Sequence, residues 1–91
     1  MSKYIANRIS ATHNSLFPDE LEIDLINVTY HKGAVLGDNI IVIPRNNITS
    51  VYGRFNVFFA DVIIESAGGR RIVAEGFKKS DVRDIVRILT K

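Results

Sequence analysis

The chain has 91 residues, of which 46% are hydrophobic and 24% charged, a composition that indicates one globular domain and argues against extensive disorder. A chain of this length buries roughly 60 to 65% of the surface of its unfolded form, so it can build only one modest core. It contains no cysteine, which excludes disulfide bonds and thiolate zinc sites, and its net charge is a mild +2.

Residues 1–20 predict a strand followed by a loop. In KYIANRIS, Ile5 and Ile9 have helical spacing, but Ile5, Asn7 and Ile9 also share one face of a strand, and we favour the strand. The next segment, ATHNSLFPDE, is rich in turn residues. No run approaches the roughly 20 apolar residues that cross a bilayer, and the N-terminus lacks the apolar centre of a signal peptide. We therefore predict a cytoplasmic protein.

The segment LEIDLINVTY carries an alternation that changes phase. Leu21, Ile23 and Leu25 share one face, with Glu22 and Asp24 on the other, and the apolar set then continues from residue 26. A shift of one residue predicts either a β-bulge near residues 25 and 26 or a strand that is buried on both faces.

A series of short apolar runs follows, as in a β-meander. HKGAVLGDN is predicted to be a loop, IIVIP a strand that Pro44 ends or confines to an edge, RNN a turn and ITSVY another strand. Residues 53–56 are predicted to turn the chain. In VFFADVIIES one strand face would carry Phe58, Ala60, Val62 and Ile64, and the other Phe59, Asp61, Ile63 and Glu65. Gly68 and Gly69 predict a hairpin with a two-residue turn in which both have positive φ.

The last sixteen residues, GFKKSDVRDIVRILTK, predict an amphipathic helix over residues 80–90. Ser80 is its predicted N-cap, and Asp84 and Arg87 are spaced for an ion pair. Its apolar stripe repeats at helical spacing and comprises Val82, Ile85, Val86 and Leu89, widened by Ile88. A domain this small needs such a stripe in its core, so we predict that the helix packs permanently on the sheet.

From about Leu21 to Leu89 the chain resembles the pleckstrin-homology-like superfamily in its bacterial and phage versions. The segments that carry the resemblance are NIIVIPRNNITSVYG, ADVIIESAGGRRIVAEGF and KKSDVRDIVRIL. They are similar to a strand with the pattern IP-x-x-x-I-x-x-V, a V-x-I-x-(S/T)-x-G-G hairpin and a terminal helix that follows a phenylalanine and a short polar cap.

The resemblance implies a strongly bent antiparallel sheet or partly open barrel, with the final helix closing one end. It also implies binding to phosphoinositides, peptides or proteins, and some bacterial members assemble into rings. The phosphoinositide-binding members carry a basic cluster in and after the first hairpin loop. The early loop here, ATHNSLFPDELE, is acidic, which argues against that site.

The sequence contains no catalytic signature, and we predict no enzyme, metal site or cofactor. His13 and His31 are isolated from each other and from any cysteine. The carboxylate pairs Glu22/Asp24 and Asp61/Glu65 would each share a strand face, and alternation predicts that both lie on a solvated outer face. Acid–base chemistry would need a pocket that raises one pKa, which no pattern here indicates.

Basic residues concentrate towards the C-terminus, where seven oppose three acidic ones between Arg70 and Lys91. If the last hairpin lies beside the helix, they form one face for anionic partners, consisting of Arg70, Arg71, Lys78, Lys79, Arg83 and Arg87. No aromatic residues alternate with them, which argues against nucleic acid. Apolar loop tips offer a second candidate contact, made of Val35, Leu36 and Phe55, unless these side chains fold back on the barrel.

We therefore expect one domain over residues 1–91 that acts as a non-enzymatic protein-interaction or self-assembly module through an exposed strand edge. The alternative is peripheral attachment to anionic membrane lipid through the basic residues of the last hairpin and helix. A protein partner or a second copy of the chain is expected in the first case, and an anionic bilayer in the second.

Overall fold

The protein folds into two antiparallel β-sheets and one C-terminal α-helix, which confirms the prediction of a mainly β fold with a closing helix. The computed structural model describes residues 2–5, 19–32 and 39–90. A short 3-10 helix, Arg45–Asn47, joins the fourth strand to the fifth, and α1 spans Lys79–Leu89. The strands are β1 (Ser2–Ile5), β2 (Glu20–Ile23), β3 (Asn27–Lys32), β4 (Asn39–Pro44), β5 (Ile48–Phe55), β6 (Ala60–Ser66) and β7 (Arg71–Phe77).

The strands pair in chain order within each sheet. The first sheet has the order β1-β2-β3-β4 and the second the order β5-β6-β7. Within the described ranges no ladder joins the two sheets, so they are not closed into a barrel. The favoured strand at the N-terminus is confirmed for Ser2–Ile5, whereas the rest of that segment and the predicted loop after it lie outside the described residues.

One hydrophobic core draws on both sheets and on the helix. The first sheet contributes its inward-facing alternate positions, such as Leu21 and Ile23 on β2, because side chains two residues apart share a strand face. The residues that form the core are Leu21, Ile23, Val28, Tyr30, Ile43, Ala60, Val62, Ile64, Ile72, Ala74, Phe77, Val82 and Ile85.

The phase change near residues 25 and 26 is a tight turn between two strands, so the prediction of a bulge or of a doubly buried strand is wrong. The Asp24 carboxylate accepts the N–H groups of Ile26 at 2.8 Å and Asn27 at 2.6 Å, and Asp24 N donates to Asn27 O at 3.0 Å. These bonds close the chain within three residues, as aspartate does in Asx turns. Leu25 is consequently 89% exposed, although the alternation placed it beside Leu21 and Ile23.

The predicted turn at residues 53–56 is also wrong, because β5 continues through Gly53 to Phe55. The chain turns at residues 56–59, where Asn56 N donates to Phe59 O at 2.8 Å. Phe58 therefore lies in the turn and is 79% exposed, whereas Ala60, Val62 and Ile64 enter the core as predicted.

Gly53 serves close packing, not turning. A Cβ atom there would lie 2.9 Å from Val82 Cγ1 in the helix and 2.8 Å from Phe55 Cε1. We expect Gly53→Val to destabilise the protein by about 1 to 3 kcal/mol, despite the higher strand propensity of valine, because the added atoms force α1 away from β5. Urea denaturation measures this, with Gly68→Ala as the control because no atom lies within 4 Å of that Cβ position. An unchanged midpoint for Gly53→Val would contradict the close contact.

The predicted hairpin between β6 and β7 is present, but its turn differs from the expected one. Gly69 alone of the two glycines has positive φ, at 84°. Gly69 N donates to Ser66 O at 3.2 Å and Ser66 N to Arg70 O at 3.1 Å, which makes a three-residue loop. A type I turn followed by one left-handed residue needs a single glycine, so the prediction of two is corrected.

The C-terminal helix packs as predicted, but its N-cap does not. Val82 and Ile85 are fully buried, and the rest of the apolar stripe packs against the core. The helix begins at Lys79 with Lys78 as N-cap and without a side-chain cap hydrogen bond, so Ser80 lies inside the first turn. The predicted Asp84–Arg87 ion pair is confirmed at 3.0 Å.

Candidate functional site

The first predicted carboxylate pair does not form an acid–base site. Asp24 is committed to the β2–β3 turn, where hydrogen bonds from the N–H groups of Asn27 and then Ile26 hold the pKa of its carboxyl below the ordinary value. Glu22 lies on β2 opposite Lys3 and Thr29. A carboxylate held ionised in this way is a turn cap and a poor proton donor at neutral pH.

The second pair contains a buried carboxylate that the sequence placed on a solvated face. Asp61 is buried, and its Oδ2 accepts two hydrogen bonds from Arg54, at 3.0 Å from Nε and 2.9 Å from Nη2. Its Oδ1 accepts the N–H of Gly76 at 3.2 Å, where the β6–β7 register shifts and Gly76 has φ 79°. Asp61 thus holds a β-bulge, which periodicity does not reveal, while Glu65 pairs with Arg71 at 3.6 Å.

Of the two histidines, the structure describes His31 alone. His31 lies on β3 opposite Glu20 and Ile40, and His13 lies outside the described residues. Among the residues that the structure describes, no three histidine, aspartate or glutamate side chains converge on a point that would hold a metal ion.

The six residues of the predicted basic face are divided between the two ends of β7. Arg70 and Arg71 lie at its start and Lys78 and Lys79 just beyond its end, so a seven-residue strand, about 20 Å long, separates the two pairs. Arg83 and Arg87 lie farther along α1, where the Arg83 guanidinium stacks over the Phe55 ring at 5.3 Å. The sequence run therefore supplies two basic groups, one at the hairpin and one at the start of the helix.

Strand β4 is one of the two outer strands of its sheet, and its hydrogen bonds show which backbone groups point outwards. Arg45 N, just beyond its end, donates to Ile26 O at 2.8 Å on the β3 side, and Arg70 Nη1 reaches Val42 O at 2.8 Å from the opposite side. Because backbone direction alternates along a strand, Ile41 and Ile43 bond to β3, whereas Ile40 and Val42 point outwards. Pro44 has the outward phase, where its missing N–H costs no ladder bond.

A groove of about 380 Å³ lies along this outer edge. It is lined by Ile40, Ile41 and Val42 of β4 and by Arg70 and Arg71 of the β6–β7 hairpin. A neighbouring groove of about 390 Å³ continues past Ile43 and Pro44, and Arg70 borders both. Ile40 is 55% exposed. The edge thus combines backbone groups that no other described strand pairs with, an exposed aliphatic side chain and two guanidinium groups.

The predicted partner loop is described only in part. Val35 and Leu36 lie outside the described residues, and Phe55 ends β5, 46% exposed beneath Arg83. The turn beyond it carries two side chains that were assigned to a strand, Val57 and Phe58, which are 78% and 79% exposed. Asn56, a turn-forming residue, is the signal that identifies this turn, and the glycine three residues earlier obscured it.

Two further polar groups have structural roles that the sequence did not suggest. Tyr30 Oη donates to the buried Asp19 carboxylate at 2.7 Å, and burial followed by this bond raises the pKa of the Tyr30 phenol far above its ordinary value. Arg45 links the β2–β3 turn to the end of the helix, because its Nη1 donates to Asp24 O at 2.9 Å and its Nη2 to Ile88 O at 3.5 Å.

Comparison with protein-family models, curated proteins and solved structures finds no match to this chain. Of the helices within the described residues, none has the length and apolar character to span a bilayer.

Proposed function

We propose that this protein is a non-enzymatic interaction or self-assembly module on a pleckstrin-homology-like scaffold, and that it binds through the outer edge of β4. Within the described residues, seven antiparallel strands followed by one core-packed helix support the scaffold assignment. On this view the two sheets correspond to a strongly bent, partly open barrel. The observation that carries the functional proposal is the β4 edge, with Ile40 and Val42 directed into the groove beside Arg70.

A strand edge binds another strand because its free N–H and C=O groups supply a ready ladder. Every copy of the chain carries the same edge, so the simplest complex pairs two β4 strands antiparallel about a twofold axis. Arg70 occupies one carbonyl of this edge, that of Val42, and must be displaced for a full ladder to form.

Val42→Pro tests this proposal. Proline removes the outward N–H of Val42 and leaves the bonds to β3 intact, so the fold is retained while two hydrogen bonds per twofold dimer are lost. We expect association, measured by light scattering over a range of concentrations, to weaken by at least about tenfold. Ile41→Pro is the comparison, since it removes a bond within the sheet and is expected to unfold the protein.

Arg70→Ala is expected to act in the opposite direction and to strengthen association, because it frees Val42 O and removes a positive charge from each edge. Arg87→Ala is the matched control, since that guanidinium pairs with Asp84 on the exposed side of α1. A wild-type protein that remains monomeric at all concentrations, or a Val42→Pro variant that associates as strongly as the wild type, would contradict pairing through β4.

A further inference from the structure

The β5–β6 turn presents an apolar tip, defined here as Val57 and Phe58. Both side chains are nearly four-fifths exposed, and they are adjacent in the chain. Phe55 lies at the base of the tip, about half exposed. Exposing a pair of large apolar side chains to water at the end of a turn is unfavourable.

Two hydrogen bonds within the protein hold the backbone at the tip and beside it. Asn56 N donates to Phe59 O at 2.8 Å, and Lys79 Nζ donates to Val57 O at 2.8 Å. A segment that enters the apolar part of a bilayer must satisfy its backbone polar groups internally, since lipid tails offer no partner. The bond from Lys79 therefore satisfies one backbone group of the tip, Val57 O, without water.

Positive charge surrounds the base of the tip. Lys79 reaches it directly, Lys78 is exposed at the N-cap of α1, and Arg83 covers Phe55. One acidic residue, Asp81, also lies in the first turn of α1. The nearby Arg54 is neutralised by Asp61 and Glu75, with which its Nη2 forms ion pairs at 2.9 and 3.8 Å.

The shape of this surface favours a bilayer over a peptide. The two grooves described above, which could hold a peptide, are lined by other residues. A protruding apolar turn with a cationic base matches the interface of an anionic bilayer, where apolar side chains enter below the headgroups and lysine and arginine remain among them.

We propose that Val57 and Phe58 insert into the interface of a membrane that contains anionic phospholipid, while Lys78, Lys79 and Arg83 contact the headgroups. This binding site lies apart from the β4 edge and does not depend on association through it. It also revises the predicted basic face, because Arg70 and Arg71 at the far end of β7 take no part.

Sedimentation with vesicles tests the proposal, using phosphatidylcholine alone and phosphatidylcholine mixed with phosphatidylglycerol. We expect the wild type to bind only the mixed vesicles and to be released by high salt. Phe58→Ser should weaken binding by at least about tenfold. Leu25→Ser is the matched control, because Leu25 is also highly exposed but lies in the β2–β3 turn. Arg45 ties that turn to the C-terminal end of α1, away from the tip, so binding should be unchanged.

Phe58→Trp gives a direct reading of insertion, because the chain contains no other tryptophan. The fluorescence emission maximum of the introduced tryptophan should shift to shorter wavelength when mixed vesicles are added. It should remain unchanged with phosphatidylcholine vesicles. The proposal would be overturned if the wild type did not bind mixed vesicles, or if Phe58→Ser bound them as tightly as the wild type. It would also be overturned if Phe58→Ser changed only the association of the protein in solution, which would assign the tip to a protein contact. The Val42→Pro variant should bind vesicles normally, so failure of the edge proposal leaves this test intact.

Discussion

Replacing Ile85 with alanine is expected to lower the free energy of unfolding by about 2 to 5 kcal/mol. Ile85 is fully buried in the hydrophobic core, so truncation removes apolar contacts and leaves a cavity that the surrounding residues fill only partly. Domains of this kind are stable by only about 5 to 15 kcal/mol, so the loss is a large share of the total. Urea denaturation followed by circular dichroism measures it.

Leu25→Ala is the matched control for this change. It removes a similar aliphatic group from a position that is almost fully exposed, and we expect an effect within about 0.5 kcal/mol. Equal stabilities for Ile85→Ala and the wild type would mean that the helix is not part of the core.

Tyr30→Phe is expected to lower the free energy of unfolding by about 1.5 to 3 kcal/mol. The substitution keeps the buried ring and removes the hydroxyl that donates to Asp19 at 2.7 Å, so a buried carboxylate loses a charge-assisted hydrogen bond. Tyr52→Phe is the control, because Tyr52 is 43% exposed. Thermal and urea denaturation of both variants would distinguish them, and equal losses would contradict the assigned role of the pair.

The same hydrogen bond is expected to make the stability of the fold depend on pH in the alkaline range. Burial, and after it the bond to Asp19, raise the folded-state pKa of Tyr30 above the unfolded value of about 10, so the neutral phenol is the form that the fold favours. The resulting stability is complete below the unfolded pKa and is lost as pH rises through the folded one. In an absorbance titration, one tyrosine should ionise only together with unfolding; if all three tyrosines ionised while the circular dichroism spectrum remained native, the assignment would be wrong.

Hydrophobic periodicity predicted the parts of the fold that depend on burial. The strand ended by Pro44, the core face that carries Val62 and Ile64, and the helical stripe that contains Ile85 follow from spacing alone, because one face of each element must leave water. The turns were harder to predict from the sequence. The Asp24 side chain closed a hairpin inside an unbroken apolar run, and Gly53 provides close helix packing where a turn was expected.

The sequence suggested which kinds of site to expect, but not where they lie in the fold. An exposed strand edge was expected, but identifying it as β4 required the strand order and the direction of the Val42 carbonyl. The basic residues that were predicted to form one face lie at opposite ends of β7, so the structure has two basic groups where the sequence suggested one. Asp61 illustrates a further limit, since alternation assigns a face without showing whether neighbouring side chains, here Arg54, bury it.

Association through the β4 edge is tested most directly by amide hydrogen exchange at Ile40 and Val42, measured by nuclear magnetic resonance in dilute and concentrated solution. We expect rapid exchange of both amides in dilute protein and protection at high concentration, while Ile41 and Ile43, which bond to β3, are protected throughout. Exchange rates at Ile40 and Val42 that do not change with concentration would contradict association through the β4 edge.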